Sequence, residues 1–216
     1  GGRCLYRTKG VGAMARLFDY ENPVWRFMGR IADALFLTLL WVAGSIPVIT
    51  IGASTTALYY VTLKMAKNQE SYLWRTYWQA FRDNLRTSTG IWCIMLGTGM
   101  ILGGGCALLL GNWGRLAAAM IWGLAVLIVI YLFVLTMVFP LAARLDAGTG
   151  RLLCMAIMTA VKNFSWVLLM SVGTLCMAAA AIFVFWPLLF LAAGAVAYLH
   201  SLILVYIIFP KYGWNN

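Results

Sequence analysis

Charge is what this chain has least of. Asp, Glu, Lys and Arg together make up 10% of its 216 residues, against about a quarter in an ordinary soluble domain. Acidic groups are scarcer still, with 6 Asp+Glu against 16 Lys+Arg. The apolar fraction is 63%, which would leave large greasy patches on any soluble globule. A disordered tail and a collagen-like rod are excluded on the same grounds. Histidine occurs once, at His200. The five cysteines (Cys4, Cys93, Cys106, Cys154, Cys176) show no CxxC spacing, so they read as small buried hydrophobes, with no metal site among them. No HExxH, no GxSxG and no pair of carboxylates occurs in the apolar stretches. The expectation is a protein with no catalytic residues, no metal and no cofactor.

What is there is long runs without charge. Residues 34–63, 87–114, 116–143 and 163–210 contain no Asp, Glu, Lys or Arg. About 20 apolar residues span the ~30 Å hydrocarbon core of a bilayer. The second and third runs therefore predict one spanning helix each. The fourth is long enough for two, with a turn at Phe185-Trp186-Pro187. Glycine-rich Gly97-Thr98-Gly99 and Gly103-Gly104-Gly105 lie inside a span, which removes a phosphate-loop reading. Gly99 and Gly103 instead have GxxxG spacing, suited to close helix packing within the bundle or in a homo-oligomer.

The first run is interrupted. Gly44-Ser45-Ile46-Pro47 ends a helix starting near Ile31, and Ser54-Thr55-Thr56-Ala57-Leu58-Tyr59-Tyr60 restarts one running to about Ala66. Each arm is short for a full crossing, so the pair is either two short spans or a re-entrant hairpin. Charge decides whether it doubles back. A single crossing would divide the 16 basic residues nine to seven, whereas a return divides them fifteen to one with only Arg115 outside. Positive-inside bias favours the return. The predicted fold is an all-α polytopic membrane bundle of six membrane-embedded helices, with both termini cytoplasmic. Its hairpins fall at about 31–66, 88–140 and 165–209, within one membrane domain over 14–216. Residues 1–13, ahead of the plausible start Met14, are expected to be a non-native or disordered extension.

Between the first two hairpins, residues 70–86 place Trp74, Tyr77, Trp78, Phe81 and Leu85 on one helical face. Arg75, Gln79, Arg82 and Arg86 line another. This pattern predicts an amphipathic helix in the cytoplasmic headgroup region, its guanidiniums towards anionic lipid. The alternative is a plain juxtamembrane linker. Weak echoes, Trp25-Arg26 with Trp74-Arg75 and Ala160-Val161-Lys162-Asn163 with Ala80-Phe81-Arg82-Asp83, hint at three repeats of surface helix followed by hairpin. No recognised nucleic-acid fold accompanies the net charge of +10, so the basic residues are assigned to the membrane surface.

Two places could carry chemistry. Transporters often bind solutes at interrupted helices, where Ser45, Pro47, Thr50, Ser54, Thr55, Tyr59 and Tyr60 would offer backbone and hydroxyl groups to a neutral polar solute. The competing reading is a structural turn. His200 lies at i+7 from Ala193 and i+3 from Ala197, on a face that should point into the bundle. No acid at that depth completes a proton relay, so a neutral imidazole bonded to a neighbouring helix is expected.

The Gly44-Ser45-Ile46-Pro47-Val48-Ile49-Thr50-Ile51-Gly52 segment, with Ala57-Leu58-Tyr59-Tyr60, resembles the YesL family of bacterial membrane proteins. Trp78-Gln79-Ala80-Phe81-Arg82-Asp83-Asn84-Leu85 is similar to that family's cytoplasmic element, and the resemblance extends over roughly 14–211. It implies a multi-pass protein of unassigned molecular function in the bacterial cell membrane. The family is encoded beside sugar-uptake ABC systems, sensor kinases and glycan-degrading enzymes. The resulting expectation is an accessory or regulatory component of carbohydrate uptake that contacts a sugar transporter or sensor kinase. The alternative is a small-solute permease working at the broken first helix pair.

Overall fold

The computed structural model describes residues 23–69, 72–111, 115–183 and 188–212, of which 23–27, 110, 115–119, 181–183 and 188–192 are described by backbone alone. The described residues are mostly helical, with no strand among them. In chain order the helices are α1 (Pro23–Gly44), α2 (Ile51–Ala66), α3 (Leu73–Gly111), α4 (Arg115–Arg144), α5 (Thr149–Lys162), α6 (Phe164–Phe183), α7 (Leu188–Ile203) and the short α8 (Phe209–Lys211). A 3-10 turn at Val48–Thr50 precedes α2, and a π-helical segment at Leu204–Ile208 joins α7 to α8. The expected extension over 1–13, Met14 and the turn at 185–187 lie outside the described residues.

Gly44 closes α1. The chain then turns through Ser45-Ile46-Pro47, and Thr50 Oγ1 lies 2.8 Å from both the Gly44 and the Pro47 carbonyl oxygens, which holds the turn. Helix α2 ends at Ala66, and two residues on Asn68 has a φ of 54°, which asparagine tolerates in the left-handed region. There the Gln69 N–H donates to the Lys64 carbonyl at 3.0 Å. The same Asn68 side chain accepts a 2.7 Å hydrogen bond from Arg30, near the start of α1. At the other end of the pair, Trp41 Nε1 donates to Thr55 at 3.1 Å. Helices α1 and α2 are therefore a hairpin that doubles back at the break.

Among the described residues, three helices are long and apolar enough to cross a membrane: Leu73–Leu109, Met120–Arg144 and Ala193–Lys211. The pair α5–α6, bent by 103°, makes a fourth if counted as one span. The expectation of six membrane-embedded helices, the first pair short or re-entrant, is met to that extent and no further. Helix α2, at 16 residues, is about 24 Å long, and α1 carries Arg26, Arg30 and Asp33 along its first half. The bend falls at Asn163, whose carbonyl accepts from the N–H groups of Trp166 and Val167 as α6 restarts. A second departure concerns residues 70–86. No break separates the amphipathic segment from the next span, and both belong to the 39-residue α3. The change from polar to apolar side chains marks a change of surroundings and leaves the backbone hydrogen bonds intact.

Helix α2 sits at the centre, packed against α1, α3, α4 and α7. It is hidden nearly all round, with Ala53, Ala57 and Val61 at 0% exposure. Glycine allows the tightest approaches. A Cβ on Gly52 would fall 2.5 Å from the Ser88 carbonyl oxygen and 2.6 Å from Trp92 Cβ on α3. One on Gly194 of α7 would fall 2.5 Å from Thr38 Oγ1 on α1, which accepts the Gly194 N–H at 2.9 Å. The GxxxG pair behaves differently. Gly99 lies against the Tyr131 hydroxyl of α4, while a Cβ on Gly103 would meet nothing within 4 Å among the described residues.

Basic residues gather in the first half of α1 and where α2, α4, α5 and α8 end. Arg30 bonds Asn68 and Tyr198, and the Arg144 guanidinium lies 5.8 Å from the Phe209 ring centre. The Lys162 ammonium stands 6.0 Å from the centre of the Tyr212 ring. Burial, then the charge of Arg144, push the Lys67 ammonium below its ordinary pKa. Overpacking a closed contact costs about 1–3 kcal/mol. Gly52→Ala should therefore lower the thermal unfolding temperature in detergent, because the obstructing atoms are backbone and Cβ. Gly103→Ala should leave it unchanged, and equal effects at the two positions would refute the packing described.

Candidate functional site

Helix α2 carries Ser54, Thr55, Thr56, Tyr59, Tyr60 and Thr62 within three turns. Hydroxyls on a helix satisfy themselves by bonding the carbonyl four residues back, which lets them enter apolar surroundings. Thr55, Thr56 and Thr62 do so, with Ile51, Gly52 and Leu58. The second capacity of each hydroxyl oxygen is then free for a neighbouring helix.

Helices α1, α3 and α7 take these bonds. Ser54 Oγ donates to the Trp41 carbonyl of α1 at 2.8 Å and lies 2.7 Å from the Tyr77 hydroxyl of α3. Thr56 lies 2.9 Å from Ser88 of α3, and Thr62 lies 2.8 Å from Ser201 of α7. The Tyr59 hydroxyl is 3.0 Å from His200 Nδ1, and His200 Nε2 is 3.2 Å from the Met170 carbonyl of α6. A carbonyl can only accept, so Nε2 carries the proton and Nδ1 of a neutral imidazole accepts from Tyr59. His200 thus ties α2, α6 and α7 together.

The solute-site residues proposed from the sequence do not converge. Ser54 is fully buried and engaged. Pro47 is exposed in the turn and Thr50 bonds that turn's own carbonyls. Ser45 Oγ is buried without a partner among the described residues. Tyr60 is turned away, with the Lys64 ammonium 4.7 Å from its ring centre. What does come together is Thr55 and Tyr59, with His200 behind Tyr59. They border a cleft of about 280 Å³ between α1–α2 and α6–α7, also lined by Trp41, Thr174, Met177 and Ala197. Trp41 and Thr174 were missed because nothing local distinguishes them from other membrane-helix residues. The cleft is nearly all apolar and offers a small ligand at most the Thr55, Tyr59 and Thr174 oxygens. It holds no nucleophile–base pair, and among the described residues His, Cys, Asp and Glu nowhere gather in threes.

The aromatic and basic residues of α3 divide differently from the sequence expectation. Tyr77 is fully buried as the partner of Ser54, whereas Trp74 is 57% exposed. Trp78 packs edge-on to Phe81 at 5.4 Å and to Trp74 at 5.8 Å. Arg75, Arg82 and Arg86 are exposed.

Hydrogen bonds between membrane helices average about 0.6 kcal/mol in double-mutant cycles. Thr62→Val and Ser201→Ala, combined in such a cycle, should give a coupling near that value in unfolding measurements. A coupling of zero would mean the two hydroxyls do not meet.

The model of a family described as a protein of unknown function, DUF624, matches residues 34–104, which takes in the second half of α1, all of α2 and most of α3. YesL-family proteins carry this domain. No curated protein and no solved structure matches the chain. The matched region is the one built around the central helix.

Proposed function

We propose that this chain is a non-enzymatic, multi-pass protein of the bacterial cell membrane that acts by contact, as an accessory or regulatory component of carbohydrate uptake. On this reading six helices are embedded in the membrane, α1 and α2 as a short hairpin, and both termini are cytoplasmic. The clustering of Arg30, Lys67, Arg144 and Lys162 at the ends described above supports that orientation.

The observation behind a contact role is the length of α3. Its 39 residues extend about 58 Å, nearly twice the hydrocarbon core, so a rigid arm must project beyond it. That arm presents Arg75, Arg82 and Arg86 outward, while Tyr77 anchors it to α2. An arm locked to the central helix can report or impose a displacement. Its basic face suits anionic headgroups and acidic partner surfaces. The carbohydrate assignment rests on the resemblance to the YesL family alone. A sugar transporter or sensor kinase is the expected partner, with or without a second copy of this chain through the open face of Gly103.

Affinity purification from membranes in mild detergent tests this. The wild-type chain should bring down a sugar-transport or sensor subunit, and Arg75→Glu with Arg82→Glu and Arg86→Glu should lose it while leaving the fold intact. Recovery of a lone monomer would contradict the reading.

The cleft beside Thr55 and Tyr59 favours one alternative, a permease for a small neutral solute. Reconstituted protein should then move such a solute into liposomes, and Thr55→Leu should reduce the flux. No flux across a broad solute panel would reject it.

A further inference from the structure

Helix α4 and the bent pair α5–α6 leave a second, larger hollow between them. It measures about 630 Å³ and is walled by Trp122, Val126 and Val129 of α4, Ile157 and Val161 of α5, and Phe164 at the start of α6. Trp122 at 76% exposure, Val161 at 72% and Val126 at 60% are not covered by any other part of the described chain. An unfilled concavity of this size forfeits dispersion contacts along its whole wall. On a membrane-crossing helix, water has no polar partner there, and hydrocarbon is the solvent at hand.

Shape and charge single out one occupant. Along α4 the wall runs from Trp122 to Val134, about 18 Å, close to the ~15 Å depth of one leaflet's hydrocarbon. One end is stopped by the Phe133–Phe164 ring pair at 5.3 Å and by the 103° bend at Asn163. Lys162, adjacent in sequence to the lining residue Val161, is exposed near that stopped end, its ammonium 6.0 Å from the Tyr212 ring centre. Arg151 is exposed further along the same helix, and α5 contains no acidic residue at all. The geometry points to a lipid site: we propose that the hollow holds one acyl chain of an anionic phospholipid, with its phosphate at Lys162. The amphipathic α5 then acts as the shelf between headgroup and chain. This inference needs the membrane setting and is independent of the docking role proposed above.

Native mass spectrometry of the full chain, reconstituted in nanodiscs of mixed phosphatidylglycerol and phosphatidylcholine and released into mild detergent, tests it. The wild type should retain one lipid, and phosphatidylglycerol in preference to phosphatidylcholine. Lys162→Gln should reduce that preference about fivefold, the effect of one basic residue at a membrane surface, without lowering the total lipid retained. Val126→Trp with Val129→Trp should fill the hollow and abolish retention, while Leu169→Trp on the exposed face of α6 should retain lipid as the wild type does. Should the double variant fail to fold, Val161→Phe narrows the hollow more gently and Lys162→Gln decides selectivity alone. Retention of both lipids alike, no retention by the wild type, or undiminished retention after filling would each overturn the proposal.

Discussion

The fold depends on one short helix that shares its hydroxyls with its neighbours. Inside a membrane, helices gain little from hiding apolar surface, since lipid tails are as apolar as leucine. Close packing and interhelical hydrogen bonds must supply the difference. Helix α2 does both. Gly52, Ala53 and Ala57 let adjacent backbones approach, and Ser54, Thr56, Tyr59 and Thr62 each reach a side chain on another helix. At 16 residues it is poorly suited to life as an isolated span, so its burial by four neighbours is what makes it a stable element.

The hairpin follows from that burial. A central helix must be reached by the chain and left again, and the turn at Gly44–Thr50 with the cap at Asn68 provides both ends. Arg30 bonds Asn68 at the end where α2 stops, so the cap also registers α1 against α2. His200 performs the equivalent task for α6 and α7, its two ring nitrogens facing different helices. The consequence for function is that most of the polar chemistry in the bundle is already spent on assembly. The remaining surfaces are the basic arm of α3, the small cleft beside Thr55, and the apolar hollow along α4.

Much of this was legible in the sequence, for identifiable reasons. Composition gave the membrane setting, and Gly44, Ser45, Pro47 and Gly52 marked the break because their backbone preferences act locally. His200 was placed facing inward by its spacing from Ala197. Other features were invisible because they depend on partners far along the chain. Ser54 and Thr55 read as solute ligands, since a hydroxyl on a helix looks the same whether it meets a solute or Tyr77 and Trp41. Periodicity put Tyr77 with Trp74 on one face, yet one is buried and the other exposed. The GxxxG spacing drew attention to Gly99 and Gly103, of which Gly99 packs on Tyr131, while the tightest helix contacts are at Gly52 and Gly194, which belong to no such motif. The continuity of α3 was hidden by the switch in polarity near Thr87.

The return of the chain at the first break can be measured directly by crosslinking in native membranes. With the native cysteines replaced, Arg30→Cys and Asn68→Cys should join through a short bifunctional thiol reagent and should label from the same side of the membrane. Failure to crosslink, with the two positions labelled from opposite sides, would contradict the hairpin and with it the central placement of α2.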